Sequence, residues 1–164
     1  MALEIIEKLT SLLAGGQDAA LAVITSTAGS TPREAGTKMI VAAGRHINGT
    51  IGGGLGEEII IRECLQALAN KKSCSHHINL TADVTSAEGM ICGGVMDVFV
   101  DYISSADQDA LETLTKYLQS ARRHENPLLI TLVALTGADA LTALGCKDSC
   151  WPTVLLPAIW VPRN

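Results

Sequence analysis

"HINGTIGGGLGEEIIIRECLQALAN", His46 to Asn70, decides how the chain is organised. Its opening, His46 to Ile51, has the character of a short strand, and its close, Leu55 to Asn70, has apolar residues at helical spacing. Ile60, Ile61, Cys64, Leu65 and Leu68 form one stripe, Glu57 and Glu58 sit in the first turn, and Lys71 and Lys72 follow the end, as the helix dipole prefers. Between the two lies a glycine-rich turn. A strand that passes through glycines directly into a helix is a building block of α/β folds.

The flanking sequence repeats the alternation. Upstream, Ala2 to Ala14 reads as a helix with Leu3, Ile6, Leu9, Leu12 and Leu13 on one face, stopped by Gly15 and Gly16. Ala19 to Thr25 and Thr37 to Ala43 read as strands, the second turning at Ala43–Gly44 into the strand at His46. Downstream, Ser75 to Thr81 and Val95 to Ile103 alternate as strands do. Asp107 to Arg123 is the clearest helix, with Ser105 and Gln108 in a capping-box pattern. Ala110, Leu111, Leu114, Tyr117, Leu118 and Ala121 share its apolar face. Leu128 to Leu135 reads as a buried strand. The expectation is one α/β (mixed α+β) domain over residues 1–164: a mixed sheet with about three packed helices.

Composition narrows the function. Of the 164 residues, 48% are apolar and 3% aromatic, so the core is aliphatic and stacking platforms for single-stranded nucleic acid are not expected. A formal net charge of −5 argues against a phosphate-backbone binder but leaves room for a local anion site. No apolar run approaches the roughly 18 residues of a membrane span. The odd set of cysteines (Cys64, Cys74, Cys92, Cys146, Cys150) and the amphipathic start favour free thiols in a reducing cytoplasm.

Three segments carry chemistry. In "GTIGGGLGEE", Gly49 to Glu58, backbone N–H groups and the start of a helix can face an anion. It reads equally as a tight turn with close packing, because position 57 is Glu rather than the third glycine of G-x-G-x-x-G and no G-K-[ST] is present. "GSTPREAGTK", Gly29 to Lys38, offers the hydroxyls of Ser30 and Thr31, the stiff turn of Pro32 and the planar fork of Arg33. Taken alone it reads as a solvated loop. "GMICGG", Gly89 to Gly94, places Cys92 beside Gly93 and Gly94, either as an accessible thiol or as a small core residue. The run "CSHH", Cys74 to His77, suggests a metal site, but adjacent histidines of a strand point to opposite faces. Cys146 and Cys150 lack a second close pair for zinc. A faint echo of Val23–Lys38 in Leu132–Lys147 repeats neither the Ser-Thr-Pro-Arg nor the glycine triplet.

Together, "GSTPREAGTKMIV", "GTIGGGLGEEII" and "GMICGGVMDVFVDYI" resemble the xanthine dehydrogenase accessory factor family, XdhC/CoxI, over roughly Thr25 to Ile103. The resemblance implies a maturation factor that binds the molybdenum cofactor (molybdopterin) transiently and helps sulfurate or insert it into a molybdenum hydroxylase apo-enzyme. It thus implies a non-catalytic chaperone, with a cysteine desulfurase as a further partner and a homodimer or higher homo-oligomer as its form. Many members carry a second, Rossmann-type domain; the expectation here is the amino-terminal domain in short form. Carried over residue by residue, the cofactor-binding set is Ser30, Thr31, Pro32, Arg33, Gly36, Gly52, Gly53, Gly54, Glu57, Cys92, Gly93 and Gly94, with Cys92 as the metal-contacting thiol. The rival readings are an enzyme acting on a phosphorylated small molecule with Cys92 as nucleophile, and a structural subunit without ligand. The stretch 144–164, with prolines and two tryptophans, reads as a tail or interface.

Overall fold

The computed structural model describes residues 2–80 and 93–129. Within them the chain runs α1 (Ala2–Ala14), β1 (Ala19–Ala28), β2 (Lys38–Ala42), a 3₁₀ turn (Ala43–Arg45), β3 (His46–Gly49), α2 (Gly54–Asn70), β4 (Cys74–Asn79), β5 (Val95–Ile103) and α3 (Gln108–Arg122). The strands form one sheet in the order β3-β2-β1-β5-β4. The expected α/β domain with three helices is what these residues form. The sheet, however, is not mixed: all four described pairings are antiparallel. The interleaved helices suggested parallel crossovers, but α2 carries the chain from the β3 edge to the opposite edge, where β4 runs against β5. The continuation of the strand expected over Leu128–Leu135 lies beyond residue 129, outside the described residues, and Leu128 and Leu129 are not in a strand.

Strand alternation splits the core in two. Ala20, Ala22, Ile24, Met39, Val41, Met96, Val98 and Val100 face α2, meeting Ile60, Ile61, Cys64 and Ala67. Ala19, Leu21, Ile40 and Ile103 face the other way, under Ile6, Leu9 and Leu13 of α1 and Ala110, Leu114 and Leu118 of α3. Period 2 along the strands and period 3.6 along the helices thus produce a three-layer domain.

The element ends follow local chemistry. α1 stops in a Schellman pattern: Gln17 N–H donates to Leu12 O and Gly16 N–H to Leu13 O, with Gly16 at φ 76°. α2 ends on Lys71 in the left-handed region, its N–H on Ala67 O. The cap of α3 differs from the expected Ser105/Gln108 box. Asp107 is the N-cap, accepting from Ala110 N at 3.0 Å. Ser105 is drawn away because its N–H and its hydroxyl both donate to Asp18 Oδ1 at 2.8 Å, while Tyr102 Oη donates to Asp18 Oδ2 at 2.8 Å. Those bonds hold the Asp18 carboxyl below its ordinary pKa, the Ser105 N–H contributing most. Among the described residues, no helix is long and apolar enough to cross a membrane.

Candidate functional site

The loop after β1, the turn ahead of α2 and the start of β5 all lie at one end of the sheet. β1 ends where β5 begins, Ala28 opposite Val95, and β3 ends beside the start of β2, Gly49 opposite Met39. The β1–β2 loop is the middle piece. Its base is tied by Gly36 N–H to Ile24 O at 2.8 Å and Ile24 N–H to Thr37 O at 3.0 Å, a closure that uses Gly36 at φ 90°. Inside it, the Thr31 hydroxyl donates to Arg33 O at 3.0 Å and Lys38 Nζ to Gly36 O at 2.8 Å.

This loop touches both other segments, and glycines make each contact possible. A Cβ on Gly94 would lie 2.6 Å from Ser30 O, 2.7 Å from Thr31 Cγ2 and 2.8 Å from Ala28 O. A Cβ on Gly52 would lie 2.4 Å from Pro32 Cγ. Ser30 to Arg33 are therefore wedged between the β5 start and the α2 turn. The sequence-predicted residues divide by role. Gly52 and Gly94 serve packing. Among the described residues, Gly36, Gly53, Gly54 and Gly93 have nothing within 4 Å of where a Cβ would stand, which leaves room for close approach on that face of the backbone. Ser30 and Arg33 are exposed, Thr31 and Pro32 half-buried. Cys92 lies outside the described residues.

Glu57 has a different place from the one its position in the motif suggests. Its Oε2 accepts from the Thr50 hydroxyl, from Ile51 N–H at 3.0 Å and from Gly53 N–H at 3.0 Å. The Gly52 N–H donates to Thr50 Oγ1 at 3.1 Å. The carboxylate thus fills the backbone nest in front of α2. Burial pushes its pKa up; the bonds from Thr50, Gly53, Ile51 and Gly52 outweigh this and hold it below the ordinary value. Beside it, Glu58 pairs with Arg45 at the surface.

One group was not visible in the sequence. His77, Asp97 and Ser26 lie in a row across β4, β5 and β1. His77 Nδ1–H donates to Asp97 Oδ1 at 2.7 Å and Ser26 Oγ to Asp97 Oδ2 at 2.5 Å. These bonds, Ser26 first, hold the Asp97 carboxyl below its ordinary pKa. The central member is the aspartate, so Ser26 gives its proton to a weak base and not to the imidazole, which is not the arrangement of a nucleophilic triad. The signal was partial: alternation along "SHHI" puts His77 on the face opposite His76, as expected, but its partners come from strands far away in sequence. The row depends on a bulge in β1 between Ile24 and Ser26, which brings Ser26 opposite Asp97. Among the described residues no group of three or more His, Cys, Asp or Glu could hold a metal ion.

The class defined by this architecture is an antiparallel three-layer α/β domain whose glycine-lined loops gather at one end of the sheet. Residues 12–79 match the model of the XdhC and CoxI family. The matched stretch contains the first two glycine-rich segments and ends before Gly93–Gly94. The chain is also 33% identical, over 139 residues, to YqeB, an uncharacterized protein of Escherichia coli K12, a match covering 85% of this chain and 24% of YqeB. It shares its fold with a Bacillus halodurans protein described as a xanthine dehydrogenase, at a TM-score of 0.68 and 19% identity, over 83% of this chain and 39% of that one. The chain thus spans well under half the length of these two relatives.

Proposed function

We propose that this domain holds the molybdenum cofactor during maturation of a molybdenum hydroxylase such as xanthine dehydrogenase. The observation that carries the reading is the wedging of Ser30–Arg33 between Gly52 and Gly94, which gathers three glycine-rich segments at one end of the sheet. The family match over residues 12–79 supports it, as does the shared fold with a protein described as a xanthine dehydrogenase.

The residues fit a phosphorylated, anionic pterin. Gly36, Gly53, Gly54 and Gly93 leave room for close approach, and the exposed Arg33 forms no ion pair among the described residues. Its planar guanidinium matches a phosphate in two-point geometry, and the Ser30 hydroxyl stands three residues away. Cys92, next to Gly93 in the sequence, would supply a soft thiol donor to molybdenum or a labile sulfur. The bound group supplies the molybdenum–dithiolene chemistry to its client; this domain orients and shelters it. The same reading makes the domain a cytoplasmic, self-associating carrier whose partners are the apo-enzyme and a cysteine desulfurase.

The test is retention. The protein, incubated anaerobically under reducing conditions with molybdenum cofactor and then desalted, should keep molybdenum and pterin near stoichiometry. Arg33→Ala should lower retention at least about tenfold, the scale of a charge-assisted pair. A wild-type protein that emerges free of molybdenum and pterin would overturn the reading.

A further inference from the structure

The nest ahead of α2 is the natural place to seat a ligand's phosphate, but this protein fills it with its own carboxylate. Ile51 N–H and Gly53 N–H end on Glu57 Oε2, together with the Thr50 hydroxyl, and Gly52 N–H ends on Thr50 Oγ1. One oxygen therefore organises the whole turn from Thr50 to Gly53. That turn in turn presses on Pro32, because the face of Gly52 where a side chain would stand is occupied by the Pro32 ring. Arg33 follows directly, and the Thr31 hydroxyl donating to Arg33 O at 3.0 Å closes a local turn around Pro32.

We propose that Glu57 is the positioning residue of this site: it locks the Thr50–Gly53 turn and, through Gly52 and Pro32, fixes the loop from which Arg33 presents its guanidinium to an anion. The proposal rests on the reading of this end of the sheet as an anion-holding site, and it deepens that reading. It moves the anion-binding role from the Gly52–Gly53 backbone, whose N–H groups are already engaged, to Arg33. It also makes the loop sensitive to acid, because a protonated Glu57 accepts these bonds less strongly. The charged groups on the surrounding elements are Arg33 on the first loop, Arg45 ahead of β3 and Glu58 on α2, the last two paired with each other.

Amide exchange and backbone ¹⁵N relaxation on the ligand-free protein test this directly. Glu57→Ala should speed exchange at Ile51 and Gly53 by about tenfold or more, the scale of a lost hydrogen bond to a charged group. The Arg33 amide should become mobile on the picosecond–nanosecond scale. Glu57→Gln keeps an acceptor oxygen and should retain most of the order. In wild type a smaller loosening, down to the order of Glu57→Gln, should appear as pH falls through the lowered Glu57 pKa, and Glu57→Gln should show no such pH response. A role in packing alone would not produce this difference in pH response. An Arg33 amide equally rigid in Glu57→Ala and wild type would overturn the proposal, as would matching pH responses in wild type and Glu57→Gln. If Glu57→Ala does not fold, the pH comparison decides alone. These readouts involve no cofactor, so they stand or fall separately from its retention.

Discussion

Gly94 and Gly53 are glycines for different reasons, and substitution separates them. At Gly94 the obstacle is backbone: Ser30 O and Ala28 O crowd the Cβ position, and carbonyls of a strand end and its loop cannot swing aside. Gly94→Ala should destabilise the protein by about 1–3 kcal/mol, the range for overpacking, with a lower denaturant midpoint. At Gly53 no described residue crowds the Cβ position, but φ is +78° with ψ near 180°, a region open essentially to glycine alone, so Gly53→Ala should cost roughly 1–3 kcal/mol through backbone strain. Gly94→Ala should also disturb the amides of Ser30 and Thr31, and Gly53→Ala should not. The sequence pointed to both glycines as ligand neighbours. What it could not show is that Gly94 is buried under the first loop, because that contact joins positions more than sixty residues apart. Cys64 offers a second contrast at this scale. Burial, then Cys74 and Glu63, push its thiol up to about 12. The unfolded thiol ionises near 9.0, so this group favours the folded state below that pH, and the contribution is lost as pH rises from 9.0 towards 12. Cys64 should resist alkylation in the native protein at neutral pH and react after unfolding, while the half-buried Cys74 reacts sooner; peptide mapping after timed alkylation checks this.

Among the elements, α3 shows how a correct helix can carry an incorrect cap. Its apolar face was readable from Ala110, Leu114 and Leu118 because period 3.6 is a local property. The cap was not, because Ser105 is claimed by Asp18, which lies 87 residues earlier in the chain. Asp107→Ala should cost about 1 kcal/mol, the usual value of an N-cap. Ser105→Ala should act through Asp18 instead. In double-mutant cycles by chemical denaturation, Ser105→Ala should therefore couple with Asp18→Ala and be nearly additive with Asp107→Ala. Strand boundaries follow the same logic. Val95–Ile103 was legible to the residue as a run of β-branched and aromatic residues after a glycine pair, whereas β3 stops at Gly49, sooner than expected, because Thr50 and Ile51 are recruited to Glu57.

Across the whole molecule, the sheet separates two cores that do not touch side chain to side chain. Ile60 belongs to the α2 side and Leu114 to the α1/α3 side, both almost fully buried. Each change to alanine should cost about 2–5 kcal/mol. Because the sheet lies between them, the double variant should be additive within about 0.5 kcal/mol in urea unfolding. Lowered carboxyl pKa values at Asp18 and Glu57 mean that their contributions are present above the ordinary carboxylate range and are lost as pH falls through the lowered values. The layered α/β class was legible from alternating periods, but the antiparallel pairing was not, since it depends on which sheet edge the chain re-enters after α2.

The central place of β1 has a consequence for the chain as it is made. β1 can pair with β2 as soon as the first loop has formed, but its other edge waits for β5, with Ala19 opposite Ile103. Until a ribosome has synthesised and released the chain past Ile103, the apolar run Ala19–Ile24 stands as an open strand edge. Such an edge is the kind of surface that captures another strand, so the early three-stranded half-sheet is the most aggregation-prone species on the route to this fold. Slow synthesis between Gly49 and Val95 should prolong its exposure, and nascent-chain chaperones that cover extended apolar segments should bind at Ala19–Ile24 in that interval.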